Sequence, residues 1–367
     1  MPEAEYTKTI EAASAAELPD VLEFDGSNLA RLVYDRKLGP IDAFVSPSTQ
    51  SNATAAMLAQ GTIDGRLYGL GLFDAGLGVW GNKKLLDAAG VRYPSGLGDA
   101  WTAEEFTGAL AKLAAKDPDG KVLDLKENYG FGVGSEWATY AFGPVVWSSG
   151  GNLIEDGKAE GVLDTPSVAR GLTTVQGWKK YVDPDPKGQA FVNGDVALSW
   201  VGHWMYPAYV RVFWEDLVLL PLPDFGNGVK TSQGSWAWGV SAGSANGKAA
   251  GAFLDYLLTD NVVVSVTAAN GAPPGTRSAL AKSNLYQPGG RLSLYAEQLR
   301  RTCGSGPVTA TCVAVPRPVT AGYPVVTREF AQAFKSIYGG ADVRASLDRA
   351  AEAIDIDYAG NDGYRIS

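Results

Sequence analysis

The sequence predicts an α/β protein of two domains. Short apolar runs bounded by proline, glycine or aspartate alternate along the chain with segments whose apolar residues recur at helical spacing, the pattern that lays down strands and helices in succession. At 367 residues the chain exceeds what one hydrophobic core usually organises, so two domains are the natural division. No internal repeat, low-complexity tract or Ser/Gly linker is present, so the domains are joined by short crossovers and not by a tether. The same alternation predicts largely parallel sheets.

Taken in order, PDVLEF at 19–24 is an apolar run after a proline and before DGSN, which reads as a strand ending in a turn. YGLGLF at 68–73 and GLGVW at 76–80 read as further strands. Thr102 with Glu105 three residues on makes a capping box, and Phe106, Leu110 and Leu113 follow at helical spacing. Thr165 and Pro166 open a second helix carrying Val168, Leu172 and Val175. Further helices are predicted over 247–258, 327–338 and 342–354, the last with Val343, Leu347 and Ile354 on one face. In SQGSWAWGV at 232–240, strand alternation puts Trp236 and Trp238 on one face and Ala237 on the other. That face is either core or an apolar platform for a ligand.

With 46% hydrophobic and 19% charged residues the composition is that of an ordinary globular protein, and no apolar run reaches membrane-spanning length. A net charge of -9 argues against nucleic-acid or anionic-membrane partners and points to a neutral ligand. His203 is the one histidine, and between Gly202 and Trp204 it reads as a locally hydrogen-bonded group; no metal site and no cofactor are expected. Cys303 and Cys312, in CGSGPVTATC, are either a local disulfide or two reduced thiols. The disulfide is the favoured reading, and it points outside the cytoplasm. MPEAEYTKTI has neither the basic start nor the apolar stretch of a signal peptide.

The catalytic inventory is thin: no G-x-S-x-G, no P-loop, no H-E-x-x-H, and GLGLFDAG is a poor dinucleotide fingerprint. A two-carboxylate hydrolase stays open, since its acids can lie far apart in the chain. Against this stand ten tryptophans and sixteen tyrosines beside three methionines, several next to glycine and small polar residues in SEWATY, VVWSSGGN and SWVGHWMY. A sugar ring has an apolar C–H face and a rim of hydroxyls, which suits an indole below it and carboxylates, amides or a guanidinium around it. Trp147 and Trp204 are candidates of this kind, while Trp80, Trp101, Trp178 and Trp214 are read as core.

In order, LPDVLEFDGSNLARLVYDRKLGPID, GRLYGLGLFDAGLGVWGNKKLLDAAGV, AWTAEEF, QAFVNGDVALSWVGHW, LLPLPDFGNGVKTSQGSWAWGVSAGSANGKAAGAFLDYLL and RPVTAGYPVVTREF resemble the carbohydrate-binding branch of the extracellular solute-binding proteins of ABC importers. The likeness covers nearly the whole chain and rests on order and spacing more than on any one motif. It implies a two-lobed periplasmic-binding-protein-like fold with a ligand cleft between hinged lobes. One lobe is expected over 1–127 and 241–312, the other over 128–240 and 313–367. Members usually start with a signal peptide or lipoprotein cysteine and then a strand and helix ahead of the segment matching 6–25, so the first lobe is expected to start truncated.

The resemblance further implies a non-enzymatic, monomeric, extracytoplasmic receptor that captures a di- or oligosaccharide and hands it to a membrane permease. A glycoside hydrolase and a receptor for a non-sugar such as a glycerophosphodiester are the alternatives. Site residues carried over by position are Asp25 at the end of the PDV strand, Asp74 in LFDAGL, Gly234, Ser235 and Trp236 in the Gly–aromatic stretch, and Arg317 in PRPVT. Trp236 is expected at the cleft, with Trp238 packed against the lobe.

Overall fold

The computed structural model describes residues 3–127 and 134–365. Strands β1 (Val21–Asp25), β2 (Leu38–Gly39), the hairpin β3 (Thr62–Ile63) and β4 (Arg66–Leu67), and β5 (Gly69–Leu70) come first. β6 (Leu77–Asn82), β7 (Leu123–Asp124), β8 (Leu198–Gly202) and β9 (Leu217–Leu220) follow. β10 (Thr231–Gln233), β11 (Trp236–Ser241) and β12 (Ala314–Pro316) complete the series.

Two main sheets result. In the first, β11 is central: β1 pairs one of its edges while β2 and β5 share the other. The second has the order β7-β8-β6-β9. The sheets are mixed, not largely parallel as the alternation predicts. Within each sheet most strands share one direction, but β11 in the first and β6 in the second run against their neighbours. The reason is connectivity: β6 and β11 each enter their sheet from a crossing between the two bodies, and so arrive opposite to strands supplied from within.

These ladders also divide the chain. β6 falls in the stretch expected in the first lobe, yet it pairs with β8 and β9; β11 falls largely in the stretch expected in the second, yet it pairs with β1. The expected boundary at 127/128 adjoins residues 128–133, which lie outside the described residues.

Packing follows the sheets. Leu22 and Phe24 on one face of β1 meet Ile10, Leu29 and Leu32, while Leu70 and Val240 meet Leu254 and Val263. The second core is larger and aromatic, with Phe142 stacked on Phe334 at 4.0 Å and on Trp200 at 6.0 Å, and Phe106 edge-on to Trp178 at 4.8 Å. Each such pair is worth about 0.5–1.5 kcal/mol beyond the area it buries. Trp80, Trp101 and Trp178 lie in this core as the sequence reading has them. Trp214 does not: it is 61% exposed, with the Arg291 guanidinium 4.5 Å from its ring centre, because the helix before it ends there and turns the chain outward.

The helix Ala103–Ala114 starts at the predicted capping box, with Thr102 Oγ1 accepting from Glu105 N–H at 3.1 Å and Glu105 Oε2 from Thr102 N–H at 2.8 Å. The helices Pro166–Trp178, Gly247–Leu257, Tyr323–Tyr338 and Val343–Gly360 match the other periodic segments; the last runs six residues past the predicted 354. Among the described residues no single helix is long and apolar enough to cross a membrane.

Between the two bodies β10 and β12 pair in parallel, and Thr231 Oγ1 accepts from Leu77 N–H at 2.8 Å, which stitches this pair to the start of β6. Cys303 and Cys312, on the segment leading into β12, are joined in a disulfide with Cα atoms 5.1 Å apart.

Candidate functional site

Three crossings meet at one place. The first, between β5 and β6, carries Asp74; the second, between β10 and β11, carries Gly234 and Ser235; the third leaves β12 at Arg317. β1 ends there too, at Asp25, whose Cα partner on β11 is Trp236.

Arg317 is the centre of the cluster. Its Nη2 donates to Asp25 Oδ1 at 2.5 Å, and its Nη1 donates to Asp25 Oδ2 at 2.8 Å and to Glu136 Oε1 at 2.9 Å. Its guanidinium also lies 5.1 Å from the centre of the Tyr140 ring. Glu136 accepts further from Tyr323 Oη at 2.5 Å and from Thr327 Oγ1. Thus a carboxylate from the first sheet and one from the helix Glu136–Ser148 grip the same buried cation. Burial pushes the Glu136 carboxyl up while Arg317 pulls it down, and the net direction is upward.

Asp74 is 1% exposed and spent on the crossings themselves. Its Oδ1 accepts from Ala75 N–H at 2.8 Å and Gly234 N–H at 3.2 Å, and both its oxygens face Gln60 Nε2 at 3.2 Å. Burial pushes its carboxyl up to about 6, although those donors and Arg317 all pull the other way. Gln60 completes the link by accepting from Ser235 N–H at 3.3 Å, and Ser235 O accepts from Gly26 N–H at 3.0 Å. Gly234 has φ +117°, and a Cβ there would sit 3.1 Å from Gln60 Oε1 and 3.5 Å from Arg317 Nη2, so glycine lets the backbone approach both groups.

An aromatic wall adjoins the cluster. Half-buried Trp204 has Tyr140 at 6.3 Å, Trp137 at 6.2 Å and His203 at 5.4 Å, centre to centre. The Tyr140 hydroxyl is buried and has no hydrogen-bond partner. His203 is buried with Nδ1 3.5 Å from Asn270 O, and burial lowers its pKa to about 4, so the ring is neutral. Glu136, with its side chain 33% exposed, connects the cluster to a cavity of 640 Å³ lined also by Ser135, Thr327, Arg328, Gln332 and Lys335.

Of the residues singled out from sequence, the structure therefore brings together Asp25, Asp74, Gly234, Ser235 and Arg317, with Trp204 reached through Tyr140. Trp236 stands beside Asp25, its ring 6.0 Å from that of Tyr6; Trp238 shares its sheet face and meets Phe253 at 6.0 Å. Trp147 lies elsewhere: it is fully buried in the second core, its Nε1 bonded to Asn152 Oδ1 at 3.0 Å. Gln60, Glu136, Tyr140, Tyr323 and Thr327 join the cluster with no sequence signal of their own, although four of them lie in SEWATY and TAGYPVVT, stretches marked by their aromatics and by the family resemblance. Among the described residues no three His, Cys, Asp or Glu side chains are grouped as a metal ion requires.

Two α/β bodies joined by three crossings, with a polar cluster where the crossings meet, define a hinged binding protein. Residues 1–288 match the family model described as bacterial extracellular solute-binding protein, and the chain belongs to that family. Among solved structures it is similar to the GacH receptor of Streptomyces glaucescens, determined unliganded and with acarbose, at 21% identity and a TM-score of 0.77 over 98% of this chain and 88% of that one. It is also similar to the substrate-binding protein Lmo0181 of Listeria monocytogenes in complex with cycloalternan, at 18% identity and a TM-score of 0.78 over 97% and 88%. A third is the extracellular solute-binding protein of Staphylococcus aureus in complex with maltose, at 18% and 0.70 over 98% and 89%.

Proposed function

We propose that the protein is an extracytoplasmic receptor that captures a neutral di- or oligosaccharide between its two bodies and delivers it to the permease of an ABC importer. The observation that carries this reading is the cluster at the crossings: carboxylates from both bodies, a guanidinium that orients them, an unpartnered buried tyrosine hydroxyl, and indoles alongside. Sugar hydroxyls are both donors and acceptors, so they match spare carboxylate lone pairs and the Tyr140 hydroxyl, while the ring's C–H face suits Trp204 or Trp236. In this reading Asp25, Glu136, Tyr140, Trp204, Trp236 and Arg317 face the ligand, whereas Asp74, Gly234 and Ser235 hold the floor in place. The acarbose, cycloalternan and maltose complexes of the similar structures support the same ligand class.

The reading is of a receptor and not an enzyme. Glu136 and Asp25 both spend oxygens on one arginine, which holds the two carboxylates in an ion-pair network and leaves neither free to serve as nucleophile or base. A glycerophosphodiester would ask for a free cation, and Arg317 is already shared by two carboxylates. Thermal melts against a panel of mono- and oligosaccharides, a chromogenic glycoside and glycerophosphocholine test this. A bound sugar at ~100 times its Kd adds roughly 2.7 kcal/mol to stability, and the chromogenic glycoside is returned intact. Stabilisation by glycerophosphocholine alone, or release of the chromophore, overturns the proposal.

A further inference from the structure

The turn Gly26–Asn28 and the helix Leu29–Tyr34 form one continuous segment of the first body, fastened to the second body at both ends. At its start Asp25 is gripped by Arg317. At its end the ring of Tyr34 meets the ring of Tyr364 edge-on, 5.8 Å between centres at 66°. Nine residues at 1.5 Å each put the two fastenings roughly 14 Å apart, so the second stands clear of the ligand cluster.

Tyr364 is held for this contact. Its hydroxyl donates to Asp357 Oδ1 at 2.5 Å, and its ring packs edge-on against Tyr358 at 5.1 Å. The Tyr358 hydroxyl in turn shares a hydrogen bond with Thr320 Oγ1 at 2.7 Å, three residues after Arg317. Tyr364 has φ +54°, a backbone state that a residue with a side chain keeps only where its surroundings impose it. Tyr34 belongs to a helix whose other side chains pack with Leu22 and Phe24, whereas Tyr358 and Tyr364 pack with the second core. Arg31, one turn before Tyr34, places its guanidinium 5.8 Å from the Tyr34 ring and is anchored by Asp35 at 2.9 Å.

We propose that Tyr34 and Tyr364 form a strap that closes the two bodies independently of the ligand. The ion pair lies at the crossings themselves; the tyrosine contact lies away from that point, beside the packing of the same segment on the helix Tyr323–Tyr338, and restrains the angle between the bodies. The inference rests on the hinged-receptor reading. Because the strap touches no ligand-facing group, it sets the closed fraction alone, and apparent affinity scales with that fraction for every ligand alike.

The test starts without any sugar. Spin labels at Lys112→Cys and Lys248→Cys, both exposed and one on each body, report the inter-body distance by pulsed electron resonance. In Tyr34→Ala and in Tyr364→Ala the distribution broadens to longer distances, while Tyr34→Phe keeps the parent distribution. Unchanged distributions in both alanine variants overturn the strap and leave the sugar-receptor reading untouched. With maltose and maltotriose as probes, the alanine variants lose affinity roughly 2- to 10-fold, the scale of one aromatic pair, by the same factor for each sugar that binds. Unequal factors would place Tyr34 in contact with the ligand and also overturn the proposal.

Discussion

Asp74 sets solvation against hydrogen bonding at a single carboxyl. Its folded pKa of about 6 stands above the ordinary 3.8, so folding disfavours its charged form. The protonated form gains stability that is fully present below pH 3.8 and is lost as pH rises through about 6, an effect of about 3 kcal/mol. His203 acts in the opposite sense, its contribution being lost as pH falls from 6.5 through about 4. Asp74→Asn therefore removes one of the two opposed slopes. Melting both proteins at pH 4 and pH 7 should show the parent losing stability relative to the variant as pH rises; parallel changes would mean that Asp74 is solvated in the folded protein. Asp74, Gly234 and Arg317 are reached from sequence through the family resemblance of the stretches that hold them. Glu136, Tyr323 and Thr327 are not, since what brings them into the cluster is a partner 181 to 191 residues away.

Elements were legible where one face is polar and the other apolar. The helix Ala103–Ala114 shows its start, its stripe and its cap in the sequence. The helix Glu136–Ser148 does not, because every residue from Trp137 to Ser148 is buried and no polar face marks its period. Strand direction was misjudged for a related reason: pairing partners such as β1 and β11 lie too far apart in the chain for local alternation to show which way they run. The disulfide belongs to this scale. It closes a loop of nine residues' separation just ahead of β12, and Thr302 beside it donates to Gln233 Oε1 on β10 at 2.5 Å. Replacing both cysteines by serine should cost about 2 to 3 kcal/mol in thermal unfolding by the chain-entropy estimate. Two free thiols in the parent protein, found by mass spectrometry after expression in an oxidising compartment, would refute the pairing.

At the scale of the molecule, Arg317 is where the two bodies share a charge. Its side chain is 5% exposed, and removing it strands Asp25 and Glu136 facing each other. Arg317→Met should cost about 3 to 5 kcal/mol, and the triple variant that also carries Asp25→Asn and Glu136→Gln should recover much of that loss. Thermal melts of the two decide it: a triple variant no more stable than the single one would mean that packing, and not charge, holds this junction.

The central place of β11 in the first sheet has a bearing on biosynthesis. β1, β2 and β5 emerge from the ribosome early, but none of them pairs with another; all three wait for Trp236–Ser241. At 5 to 20 residues per second, the roughly 170 residues between β5 and the end of β11 take on the order of 9 to 34 s to be made. Throughout that interval the nascent first body holds the short β3–β4 hairpin but not its main sheet, and a chain in that state is one that a translocation channel can still thread.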